Sequence, residues 1–115
     1  MCALPVGEQA NIYALREQGD ARLRYVGRTK QDLEDRRWRH LKAPAGTVKT
    51  WLRHVRSLEI VALGTGTALD EARLIRKLWD EGHPLVNKQH LGHVSVRERI
   101  QRAAVVKSEK VQHPA

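Results

Sequence analysis

Two short strand-like runs joined by a polar turn constrain this chain first, because so short a connection permits only antiparallel pairing. Residues 10–15 read Ala-Asn-Ile-Tyr-Ala-Leu, and residues 22–26 alternate as Arg-Leu-Arg-Tyr-Val before stopping at Gly27. Glu17-Gln18-Gly19-Asp20 lies between them, and the whole reads as a β-hairpin. A third strand is expected over 58–63, ended by Gly64-Thr65-Gly66.

The intervening segments carry helical spacing. Over 32–42, Leu33, Arg37 and Leu41 share one stripe, while Arg36 and His40 share the next. Ala43-Pro44-Ala45-Gly46 breaks this helix, and Thr47 is expected to cap a shorter one carrying Val48, Trp51, Leu52 and Val55. Thr67, with Asp70 three residues on, predicts a capping box for a helix whose apolar face is Leu74, Ile75, Leu78 and Trp79. Gly82-His83-Pro84 ends it. The order β-β-α-α-β-α predicts a small α/β domain over 10–87, a three-stranded antiparallel sheet flanked by helices. An N-terminal arm, 1–9, precedes it, and a basic C-terminal extension, 88–115, follows with one helix expected over 94–107.

A chain of 115 residues, 41% of them hydrophobic, suits one domain with a packed core. It contains no apolar run long enough to span a membrane, so no membrane partner is expected. A single cysteine, Cys2, cannot form an internal disulfide, and no signal peptide is recognisable, so a reduced, cytoplasmic protein is expected. The net charge of +8 and a pI near 10.3 point to a polyanionic partner, nucleic acid first. The segment from Lys88 onward carries six Lys and Arg against two acids, half the net charge in about a quarter of the length.

Phenylalanine is absent, and the only two tyrosines, Tyr13 and Tyr25, fall on the two hairpin strands. Arg36-Arg37-Trp38-Arg39-His40 follows on a helix, then Glu71 on a later helix, then Asn87 beyond its end. This ordered set resembles the GIY-YIG nucleases: tyrosine motifs on a hairpin (Asn11-Ile12-Tyr13 and Tyr25-Val26-Gly27), a helical Arg with a His four residues on, a metal-binding Glu and a terminal Asn. The resemblance covers residues 10–87. Asn11 stands where the family has its first glycine, and Lys49 and His54 both remain open for the further basic residue some members carry.

The resemblance implies metal-dependent hydrolysis of a phosphodiester, with DNA favoured over RNA, leaving a 5′-phosphate and a 3′-hydroxyl. The implied catalytic set is Tyr13, Tyr25, Arg36, His40 and Glu71, with Mg²⁺ or Mn²⁺ on Glu71. Physical chemistry agrees with each role. A lone carboxylate can hold one hydrated divalent ion, and Glu71 lies one turn before Ile75 at the edge of an apolar stripe. A guanidinium forks onto a phosphate oxygen; Arg37 competes for that role, but the i to i+4 spacing of Arg36 and His40 favours Arg36. A tyrosine is the implied base, with Tyr13 preferred over Tyr25, and His40 relays the proton or orients a ring. Nucleic-acid contacts are expected from Gly27, Arg28, Lys30, Arg37, Arg39, Lys49, Asn87 and Lys88.

Taken singly, each residue has a plainer reading. Strand tyrosines are commonly half-buried with a wet hydroxyl, Arg36 to His40 could be a solvated basic face, and Glu71 a first-turn charge. The ordered set carries the expectation. Its rivals are a non-catalytic nucleic-acid-binding module of the same fold and a protein-interaction module. A zinc site from Cys2, His83, His90 and His93 matches no zinc-finger spacing. Trp38, Trp51 and Trp79 are expected in the core or lining a groove rather than as base-stacking platforms.

Overall fold

A computed structural model describes residues 7–91 and 94–112. Residues 1–6 of the expected arm, Cys2 among them, lie outside the described residues, as do His93 and 113–115. The elements run β1 (Ala10–Glu17), β2 (Tyr25–Thr29), α1 (Leu33–Lys42), α2 (Gly46–Leu52), β3 (Leu58–Gly66), α3 (Ala68–Asp80) and α4 (Val96–Gln112). The chain is a small α/β domain: one antiparallel sheet in the order β2-β1-β3, with four helices. Among the described residues no helix is long and apolar enough to cross a membrane.

β1 is central and apolar on both faces, because both faces are covered. Ile12 and Ala14 join Val26, Ile75, Leu78, Trp79, Leu85, Leu91 and Val94 in one cluster. Tyr13 and Leu15 join Val48, Trp51 and Leu58 in another. Leu91 and Val94 therefore belong to the domain core, so the start of the basic extension is integral to the fold.

Several boundaries differ from expectation: β1 extends to Glu17 and α4 runs Val96–Gln112 rather than over 94–107, and three others have an identifiable physical reason. β2 starts at Tyr25, because the Arg22 backbone and guanidinium are held by the Asp20 carboxylate and Leu23 N–H donates to His83 Nδ1. β3 runs through Gly64 to Gly66: a bulge between Ile12 and Tyr13 pairs them with Gly64 and Ala62, leaving Leu63 extra, and Gly64 takes φ +123°. α2 starts at Gly46 without a side-chain cap, so Thr47 is not its capping residue. The capping box at Thr67 and Asp70 forms in both directions, as its spacing predicts.

β2 is an edge strand, and the segment after α3 covers it. The Asn87 carboxamide accepts from Val26 N–H and donates to Val26 C=O, both at 2.9 Å. Val86 N–H donates to the Arg24 carbonyl, and Arg24 Nε to the Pro84 carbonyl. This strap satisfies backbone groups an edge would expose. α4 docks through Arg102, whose guanidinium lies 3.6 Å from the Trp79 ring centroid and donates to the carbonyls of Trp79 and His83.

Candidate active site

Tyr13 and Tyr25 share a face of the sheet, because Tyr13 pairs with Gly27 and Leu15 with Tyr25, which sets the tyrosines on a diagonal. Their ring centroids are 6.4 Å apart. α1 crosses this face and sets His40 against both, 5.8 Å from Tyr13 and 5.7 Å from Tyr25. Asp32 caps α1 by accepting from Glu34 and Asp35 N–H, so the helix that delivers Arg36 and His40 has a defined start.

The Tyr13 hydroxyl is the hub. It lies 2.8 Å from His40 Nε2 and accepts from Arg36 Nε at 3.1 Å. Tyr13 is fully buried, so its proton needs an acceptor, and His40 Nε2 supplies one when the neutral ring carries its hydrogen on Nδ1. Burial, and then the Arg36 charge, push His40 down to about 4, which keeps that ring neutral at pH 7. Burial pushes Tyr13 up to about 12, against the pull of its Arg36 hydrogen bond.

Tyr25 differs in access. It is half-buried, and its hydroxyl makes no hydrogen bond among the described residues. Burial and the Glu71 charge raise its pKa, and Arg36 opposes them. Glu71 thus acts electrostatically on both phenols. Its own pKa is raised by burial, against Arg28 and His90. His90, exposed and at φ +65°, was not expected at this site; nothing in the local spacing around Glu71 singles it out.

Arg37 is committed elsewhere: it pairs with Glu34 and reaches the Leu58 carbonyl, which leaves Arg36 as the site arginine. Two expected nucleic-acid contacts are instead buried framework. Asn87 closes the β2 edge, and Gly27 lies beneath Tyr13, where a Cβ would collide with the hydroxyl and the ring carbon that bears it. Arg28 donates to the Glu8 carbonyl and Lys30 pairs with the Glu8 carboxylate. Arg39, Lys49 and Lys88 are exposed. Trp51 and Trp79 are buried as expected, but Trp38 is 57% exposed.

Among the described residues no group of three or more His, Cys, Asp or Glu gathers to hold a metal. The candidate donor is the half-buried carboxylate of Glu71 on α3, whose charge acts on both phenols. That suits a Mg²⁺ or Mn²⁺ ion retaining most of its waters, and a cation would relieve a carboxylate that burial penalises. Comparison with family models, curated proteins and solved structures gives no match.

Proposed function

We propose that this chain is a divalent-metal-dependent endonuclease of the GIY-YIG kind that hydrolyses nucleic-acid phosphodiesters, DNA in the first instance. One observation carries the reading: Tyr13, Tyr25, Arg36 and His40 converge on one sheet face, and the charge of Glu71 reaches both phenols. A core built only for stability has no use for such a cluster, since burying a phenol, an imidazole and a guanidinium costs desolvation. Strongly perturbed groups gathered on one face are the pattern of a reactive site.

We take Tyr25, rather than the Tyr13 preferred from sequence, as the base facing the attacking water. Tyr13 is fully buried with its hydroxyl tied to His40 and Arg36, whereas Tyr25 is only partly buried and its hydroxyl makes no hydrogen bond among the described residues. Tyr13 then ties Arg36 and His40 together, a positioning role. Among the described residues Arg36 hydrogen-bonds through Nε, to Tyr13, which leaves its terminal nitrogens for a non-bridging phosphate oxygen. Glu71 would hold the metal; bound there, hydrated Mg²⁺ or Mn²⁺ supplies positive charge to a phosphate oxygen and acidifies water. Neutral His40 offers Nε2 to the Tyr13 proton and holds both rings in register.

The test is plasmid nicking by wild type and Glu71→Gln across a Mg²⁺ titration. Wild type should cleave, EDTA should stop it, and the variant should bind DNA without cleaving. Equal cleavage by both removes Glu71 from the reaction. The sealing of Tyr13 favours a second reading, a nucleic-acid-binding module without catalysis. It predicts DNA binding by both proteins and cleavage by neither.

A further inference from the structure

We propose that the outer face of α1 carries a stacking site for an unpaired nucleobase, with Trp38 as its platform. This inference rests on the nucleic-acid reading and names the substrate class: strands with a single-stranded stretch beside the cleaved phosphate. Trp38 is 57% exposed, while the other two tryptophans are 6% and 3% exposed. It lines an open hollow of about 620 Å³ together with Gln31, Asp35, Arg39, Lys42 and Ala43. An indole left in water beside a hollow has a surface to lose on binding.

The chemistry of the lining selects the occupant. Lys42 Nζ lies 5.4 Å from the Trp38 ring centroid, and Arg39 is exposed on the same hollow. A base on the indole therefore brings its phosphate beside cations, the pairing of aromatic face and positive groove that binds single strands. Asp35, the acid of the lining, and Gln31 offer acceptors to exocyclic amino groups. Bases inside a duplex are stacked on their neighbours and present no free face, so Trp38 reads only unpaired ones.

The placement couples this site to the reactive one. Arg36 and His40 project from α1 onto Tyr13, while Trp38, Arg39 and Lys42 line the hollow on the helix's solvent side. The two sites are thus separated by about one helix diameter, ~10–12 Å with side chains. A strand whose phosphate reaches Arg36 can lay a neighbouring base on Trp38.

The experiment titrates the full-length chain, in EDTA, with a mixed-sequence single-stranded oligonucleotide and with the same sequence as blunt duplex. All three indoles emit, so Trp38 is read from the part of the emission that iodide quenches and that Trp38→Phe removes, because the other two indoles are buried. Single strand should quench emission and shield it from iodide; duplex should not. Trp38→Ala should weaken single-strand binding by on the order of ten-fold, Trp38→Phe by much less, and neither should weaken duplex binding comparably. Single-strand binding with unchanged emission, or equal weakening for both substrates in Trp38→Ala, overturns the proposal and leaves the cleavage reading intact. Quenching with the expected variant effects but no cleavage on adding Mg²⁺ upholds the stacking site and sinks the cleavage reading. Failure to bind either nucleic acid sinks both.

Discussion

Gly27 illustrates what a single residue does here that its neighbours in sequence cannot reveal. It reads locally as a strand terminator, yet β2 runs through it, and it stays side-chain-free because the Tyr13 ring occupies the space a Cβ would need. Gly27→Ala should cost about 2 kcal/mol through overpacking, read as a lowered midpoint in urea, and should also displace the Tyr13 hydroxyl from His40. His40 has a pH signature. It takes up a proton near pH 4 when folded and near 6.5 when unfolded, so the unfolded chain binds more protons between those values. Its contribution to stability is full above about pH 6.5 and is lost as pH falls toward 4, a change of about 3 kcal/mol. Denaturation across that window should show the loss in wild type and a flattened slope in His40→Gln; the same slope in both would remove His40 as its source. Glu71, whose pKa is raised, acts in the opposite direction, so the comparison with the variant isolates His40. The i to i+4 pair Arg36 and His40 was legible in sequence because helix geometry is local. The role of Asn87 was not, since a carboxamide that closes a strand edge 61 residues away leaves no local trace of that bond.

At the scale of elements, the capping box at Thr67 and the apolar face of α3 followed from spacing alone, because both are set within one helix. The start of β2 and the bulge in β3 did not, because His83, Asp20 and the central strand decide them from outside the segment. The strap and α4 are equally long-range. Asn87→Ala leaves the Val26 N–H and C=O without partners inside the protein and should cost about 2–3 kcal/mol, visible as a lowered melting temperature. Arg102 holds α4 through a ring face and two carbonyls. Arg102→Lys, which lacks the planar fork, should speed amide exchange in α4 while exchange in the sheet stays slow. Uniform acceleration across both would mean that α4 is part of one cooperative unit with the sheet.

For the whole molecule, charge and function meet. The basic extension holds half the net charge, but Arg99 and Arg102 are engaged with the carbonyls of Leu91, Trp79 and His83. Part of that charge therefore anchors the helix. Truncation after Ser95 keeps the buried Leu91 and Val94, and should flatten the salt dependence of DNA binding by about 0.9 in log–log slope for each phosphate no longer neutralised. An unchanged slope would make α4 a bystander to binding. Cleavage of phosphodiesters at the tyrosine face is tested most directly by Mg²⁺-dependent plasmid nicking with wild type and Tyr25→Phe. That substitution removes a hydroxyl with no hydrogen-bond partner among the described residues, so melting temperature and DNA affinity should hold. The rate should fall by about 10²–10⁴, the usual contribution of a general base. The wild-type rate should rise about ten-fold per pH unit above neutrality, because the raised pKa keeps the phenolate a minor species throughout that range. A Tyr25→Phe protein that nicks as fast as wild type, or a folded wild type that never nicks with Mg²⁺, contradicts a catalytic tyrosine face.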